Sequence, residues 1–245
     1  MKTGTKTKII AALAAGLLQA AAFAEEQKPA PAEPAAGLPN VLIIGDSISL
    51  GYMDQVKKLL KDKANVVHPP CNCQDSGTGA KNIEAWLGKT KWDVVHFNFG
   101  IWDTHLLDNG KLVSDRSKHK AEDLKRRHTT EQYVANLGKV LAALEKSGAK
   151  LIWASTTPYV SYGEDTRLLL EKNNAAAKEL MDKRGVAVND LHALALPKLK
   201  EWQSKDGCHF TGPGSAELGK QVAAAISDAL DKRAKEARPA AAKKE

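Results

Sequence analysis

Beyond its first two dozen residues the sequence has no apolar run approaching the ~20 residues that cross a bilayer as a helix. It has no glycine-rich phosphate loop, no dinucleotide fingerprint and no lysine motif that would anchor an organic cofactor. No internal repeat and no second break in composition divide it, and no basic stripe of the kind that grips nucleic acid is present. Cysteine is scarce: three residues, with one tight Cys-x-Cys and no second pair to complete a zinc site. These absences exclude a repeat array, a nucleotide or cofactor enzyme, a zinc ribbon and a nucleic-acid binder, and they leave no transmembrane segment in the mature chain.

What is there begins with the ends. The formal charge of +7 is mostly theirs: Lys2, Lys6 and Lys8 open the chain, and Arg233 to Glu245 holds five basic residues against two acidic ones. Lys2 to Lys8, the apolar run Ile9 to Ala22 and the small-x-small Ala22-Phe23-Ala24 read as a cleavable signal peptide over 1–24. Residues 25–38 are a Pro/Ala-rich linker that buries little. Residues 233–245 read as a basic disordered tail, able to make a weak contact with an anionic surface. The expected location is the periplasm or the outside of the cell. One internal basic cluster, Arg116 to His128, also contains Glu122 and Asp123 and reads as a solvated loop.

Between the ends, residues 39–232 suit one α/β domain. Apolar strand-like runs at Val41–Gly45, Asn65–Val67, Asp93–Asn98, Lys150–Ser155 and Val186–Val188 alternate with helical patterns at about 49–62, 79–88, 129–147, 165–184 and 211–233. Thr129 or Thr130 and Thr211 are cap candidates, with Pro213 in a first turn. Residues 104–128 form a long polar connection, in such folds an active-site wall or disorder. Trp86, Trp92 and Trp153 fall at core positions.

Chemistry gathers at two places. Gly45-Asp46-Ser47 lies where the first strand gives way to a helix, which exposes the Ser47 hydroxyl at the positive end of a helix dipole. Far downstream, Asp206-Gly207-Cys208-His209 offers a carboxylate and an imidazole three residues apart. A serine hydroxyl is too weak an acid to attack unaided, and an imidazole held by a carboxylate supplies the base.

These residues resemble the SGNH (GDSL-type) hydrolases. Leu42 to Ser49 is similar to their first block, and Asp206-x-x-His209 with Phe210-Thr211 and a closing helix to their last. The resemblance implies a three-layer flavodoxin-like fold with a parallel sheet of about five strands. It implies hydrolysis of carboxylic esters, often acyl groups on lipids or acetyl groups on sugars, without a cofactor. Ser47 is then the nucleophile, His209 its base and Asp206 the group that orients it. The family also places oxyanion donors after the second and third strands. Here Gly77 or Gly79 is available in the second block, and the third reads Gly100-Ile101-Trp102-Asp103, with Trp102 where an Asn belongs. Asn98, Trp102 and Asp103 are the candidates there for oxyanion or substrate contact.

If that fold is right, Cys71 and Cys73 border the same site as Cys208, and one disulfide is expected, Cys73–Cys208 ahead of Cys71–Cys208. A metal at Cys71, Cys73 and His68 has poor zinc geometry, and His96, Asp103, His105 and His119 read as satisfied or solvated groups. Trp102, Tyr159 and Tyr162 would line an open site suited to a sugar ring. The expected partner is a small-molecule or glycan ester. The alternatives are a weakly active carbohydrate-binding accessory protein on the same fold, or an O-acyltransferase.

Overall fold

A computed structural model describes residues 37–237; the signal segment, nearly all of the linker and residues 238–245 lie outside the described residues. In chain order the elements are β1 (Asn40–Ile44), α1 (Ser47–Leu59), β2 (Asn65–Val67), α2 (Ser76–Leu87), β3 (Val94–Phe97), β4 (Leu106–Asp108), β5 (Lys111–Leu112) and β6 (Leu124–Arg126). They continue with α3 (Thr130–Lys146), β7 (Lys150–Ala154), α4 (Glu164–Lys183), β8 (Ala187–Asn189), α5 (Leu191–Ala195), α6 (Leu199–Trp202) and α7 (Gly212–Ala237).

Strands β2-β1-β3-β7-β8 form one all-parallel sheet in that order, the flavodoxin-like arrangement expected. Central strands β1 and β3 are apolar almost throughout because helices cover both faces. Side chains alternate across the sheet. Val41 and Ile43 face a core completed by Tyr52, Val56, Leu218, Val222 and Ile226 of α1 and α7. Leu42 and Ile44 face a core completed by Ile83 of α2 and Leu137, Leu141 and Leu144 of α3.

Three helix starts carry side-chain caps that the chain spells out. Asp46 accepts the Ile48 N–H at 2.9 Å, Asp75 accepts those of Gly77 and Thr78, and Thr129 with Gln132 forms a capping box. Thr211 Oγ1 accepts the Gly214 N–H at 3.3 Å ahead of α7, with Pro213 in its first turn. The last helix continues beyond the expected boundary at 232. Arg233 bonds the Asp93 carboxylate and the Gly148 carbonyl, both at 2.9 Å, so it belongs to the fold.

The long connection is ordered. β5-β4-β6 make a small antiparallel sheet that buries Leu106 and Val113; in the basic cluster Arg116 to Lys125 is largely exposed, as expected of a solvated segment, while Arg126 to His128 are half-buried. Arg116 and Arg126 pair with Asp165, and Arg127 with Asp75. Elements of two to five residues such as β5, α5 and α6 are too short to leave a hydrophobic period in the sequence.

In this strand order the chain reverses its winding between β1 and β3, and the crevice at their carboxyl ends is where such folds bind ligands. Ser47 follows β1 and the Gly100–His105 segment follows β3 at that edge.

Candidate active site

Ser47 is the first residue of α1, on a turn with little freedom. A Cβ on Gly45 would lie 2.8 Å from Ser49 Oγ, so the strand reaches the helix only through a glycine. Ser49 Oγ donates to the Asp46 carbonyl at 2.7 Å. Asp46 is 1 % exposed and its Oδ2 has no partner, and burial raises its carboxyl to about 6. The Asp46 cap takes the Ile48 N–H, leaving that of Ser47 directed outward from the helix start.

The partners of Ser47 come from the loop between α6 and α7. His209 Nε2 lies 2.9 Å from Ser47 Oγ, and His209 Nδ1 lies 2.6 Å from Asp206 Oδ2. The other carboxylate oxygen, Oδ1, accepts the N–H groups of Cys208 at 3.0 Å and His209 at 2.9 Å. Those backbone donors and the imidazole hold the Asp206 carboxyl down at about 2. An ionised Asp206 assigns the proton to Nδ1 and leaves the Nε2 lone pair facing the Ser47 hydroxyl. The loop is tied down as well. The Gly207 carbonyl accepts the Val160 N–H at 2.9 Å, Gln203 donates to the Pro158 carbonyl at 2.9 Å, and the Ser204 N–H reaches the His209 carbonyl at 2.7 Å.

No protein-family model matches the sequence, and no curated protein matches it. Solved structures do. A lipase/acylhydrolase from Enterococcus faecalis is 20% identical with a TM-score of 0.63, over 78% of this chain and 96% of that one. A carbohydrate esterase family 3 protein from Talaromyces cellulolyticus is 16% identical with a TM-score of 0.60, over 80% and 99%. Est24, a carbohydrate acetylesterase from Sinorhizobium meliloti, is 13% identical with a TM-score of 0.58, over 78% and 99%. This chain has the GDSL-type hydrolase fold.

On that fold the second-block glycines are not free donors. The Gly77 N–H bonds Asp75 Oδ1 and the Gly79 N–H bonds the Asp75 carbonyl, both at 3.0 Å. A Cβ on Gly79 would lie 2.5 Å from Phe99 Cζ, so that glycine serves packing. Asn98 is engaged too: its Nδ2 donates to the Ala154 carbonyl at 2.7 Å and ties β3 to β7. Asp103 is fully buried beneath the site and accepts the backbone N–H and the hydroxyl of Ser76. Burial raises its carboxyl to about 7 despite those donors. Trp102 differs from all of these. It is half-buried, and among the described residues its indole N–H meets no acceptor.

Around Trp102 lies an aromatic group that the sequence only partly disclosed. Its ring tilts against His105 at 5.1 Å, and His105 contacts Tyr159 and Tyr162 at 6.0 and 5.6 Å. Tyr159 is 2 % exposed and therefore packs inside rather than lining an open wall. Burial, then Arg127 and Arg126, lower the His105 pKa to about 4, so the imidazole is neutral.

Asp75, Arg127 and His128 were missed as neighbours of the site. Asp75 carried no signal of its own in the sequence, while Arg127 and His128 lay in the supposed loop. Among the described residues one acid–histidine group is close enough to share a cation, Asp75, Asp103 and His128, with atoms within 4.8 Å. Its oxygens already face Arg127 at 2.8 Å, two α2 N–H groups and Ser76, so the donor set does not fit a metal. His96 is buried against Asn189 at 3.1 Å, where burial lowers its pKa to about 3, and His119 pairs with Asp108 at 2.6 Å.

The expected disulfide is absent: Cys71, Cys73 and Cys208 are free thiols. Cys73 packs in the core under α2 and α3, whereas Cys208 packs against the core on the α1 and α7 face. Burial pushes both thiols up to about 12, and Cys71 is exposed.

Proposed function

We propose that this protein is an exported serine ester hydrolase that removes short acyl groups, acetyl foremost, from a carbohydrate. The observation that carries the reading is the unbroken chain Ser47 Oγ–His209–Asp206, with contacts of 2.9 and 2.6 Å. In the proposed reaction His209 Nε2 takes the Ser47 proton as Oγ attacks the ester carbonyl. The oxyanion meets the Ser47 N–H at the start of α1, where the helix dipole favours negative charge. Collapse expels the alcohol, which receives the proton from His209, and water then cleaves the acyl-enzyme by the same route. Asp206 stays ionised throughout and stabilises the imidazolium.

Acetyl and carbohydrate are supported by similar folds that include a carbohydrate acetylesterase and an acetyl xylan esterase. The half-exposed His209 and Asp206 beside an aromatic group also suit a sugar ester better than a long acyl chain. Export rests on the sequence alone. One observation favours a second reading, a weakly active carbohydrate binder: Gly77, Gly79 and Asn98 have their donors engaged elsewhere.

Hydrolysis of p-nitrophenyl acetate, butyrate and octanoate beside Ser47→Ala tests the proposal. Activity that falls with chain length and vanishes in the variant is the expected result. No turnover and no fluorophosphonate label on Ser47 would sink it in favour of the binder.

A further inference from the structure

Trp102 is held by a segment distant in the sequence. It opens a single 3-10 turn, Trp102–Thr104, entered through Gly100, where a Cβ would lie 2.0 Å from Thr156 Oγ1. The consecutive residues Arg126, Arg127 and His128 return past that turn and hold it at each position. Arg126 Nη1 donates to the Thr104 carbonyl at 2.6 Å, and the Arg127 N–H donates to the His105 carbonyl at 2.9 Å. The His128 N–H donates to the Asp103 carbonyl at 3.2 Å. The Arg127 guanidinium then lies 5.4 Å from the centre of the Trp102 ring.

Arg127 is itself built in. Nη1 bonds Asp75 Oδ2 at 2.8 Å, and Asp75 caps α2, so the guanidinium plane is referred to the first turn of a core helix. Nε is buried without a partner. A surface arginine serving only as a counter-ion for Asp75 has no reason to bury an unsatisfied donor in order to cover an indole. The ring also meets His105, which is neutral and packed on Tyr162. The indole thus contacts both a planar cation and a neutral ring, with its own N–H unassigned.

We infer that Arg127 is a positioning residue that fixes the Trp102 indole N–H as a donor to the reacting ester at the β1–β3 crevice. The inference rests on the esterase reading. Trp102 then supplies, from a ring, the hydrogen bond that the engaged groups of Asn98, Gly77 and Gly79 do not. A ring donor helps only if it is still, and cation–π contact with a buried guanidinium is a way to still it.

The test uses Arg127→Met, which keeps the stem and loses the plane and charge, and Arg127→Lys, which keeps the charge. Trp102→Phe assigns the indole resonance in a 1H–15N spectrum. The expected result is that this resonance shifts and broadens in Arg127→Met and is partly restored in Arg127→Lys. Turnover of p-nitrophenyl acetate should fall roughly 10- to 100-fold in kcat with little change in KM. In the Trp102→Phe background, Arg127→Met should cost almost nothing further. An unmoved indole resonance in Arg127→Met overturns the inference, and so does a full additional loss in the double variant. The resonance needs no turnover, so it reports on Arg127 even if the wild-type chain fails to cleave esters or label at Ser47, which would overturn the esterase reading instead.

Discussion

Replacing Asp206 by Asn tests the proposed chemistry at one atom. Oδ1 of Asp206 receives two backbone N–H groups, at 3.0 and 2.9 Å, while Oδ2 faces His209 Nδ1 at 2.6 Å. An Asn side chain has only one orientation that keeps the two backbone bonds, with its oxygen on them and its NH2 toward Nδ1. The amide then donates to Nδ1, moves the imidazole proton to Nε2 and points it at Ser47 Oγ, so the base has no lone pair for the serine proton. Where the wrong tautomer is imposed in this way, kcat falls by about 10⁴, equivalent to a barrier higher by about 5 kcal/mol. KM should change little, because the substrate touches Ser47 and not Asp206. The melting temperature should also change little, since Asp206 is half-exposed and both backbone bonds survive. The assay is p-nitrophenyl acetate hydrolysis, with fluorophosphonate labelling to follow Ser47 separately. The double variant with His209→Ala should be no slower than His209→Ala alone, because the two residues act as one unit. A loss below tenfold in Asp206→Asn would refute the assignment of Asp206 as the group that orients His209.

Thiol titration of the native protein should find one fast-reacting group, Cys71, and three after denaturation without reductant; only one after denaturation would restore a disulfide. Leu141→Ala, at a fully buried position under the sheet, should cost about 2–5 kcal/mol and lower the melting temperature while leaving kcat of the folded fraction unchanged. Asp103 has a folded-state pKa raised to about 7, so the native state holds a proton that the unfolded chain releases near 4. Its contribution therefore falls as pH rises from about 4 to 7, and Asp103→Asn should flatten the slope of melting temperature against pH in that window. Asp46 adds a slope of the same sign up to about 6, so the comparison is between variant and wild type, not with zero. Asp206, held at about 2, works oppositely: its bond to His209 persists above 4 and is lost as pH falls toward 2, detaching the His209 loop, which the histidine resonances would report.

Much of the fold was readable because its signals are local. Buried parallel strands such as Val41–Ile44 are continuous apolar runs, and the caps at Thr129 and Thr211 and the Pro213 turn are spelled out within a few residues. The pairing of Ser47 with Asp206 and His209 was legible for a similar reason. A strand-to-helix serine and an Asp-x-x-His each carry their own geometry, and parallel topology brings both to one sheet edge. What surrounds them was not legible, since it depends on which donors the packed chain has already engaged. The Gly77, Gly79 and Asn98 donors are taken by Asp75 and Ala154, contacts that exist only after α2 and β7 are in place. Cys73 and Cys208 look like partners in sequence, but their loops lead into helices that pack on different cores, Cys73 into α2 and Cys208 into α7. Arg127 lies 25 residues from Trp102 along a polar segment without period, and a small antiparallel sheet delivers it to the ring. Sequence by itself determined the candidate groups Ser47, Asp206 and His209 and the alternation of strands and helices, because those follow from short-range chemistry and hydrophobic pattern. Only the tertiary structure decided which hydrogen-bond donors remain free at the crevice, because packing sets which acceptor, if any, each donor meets.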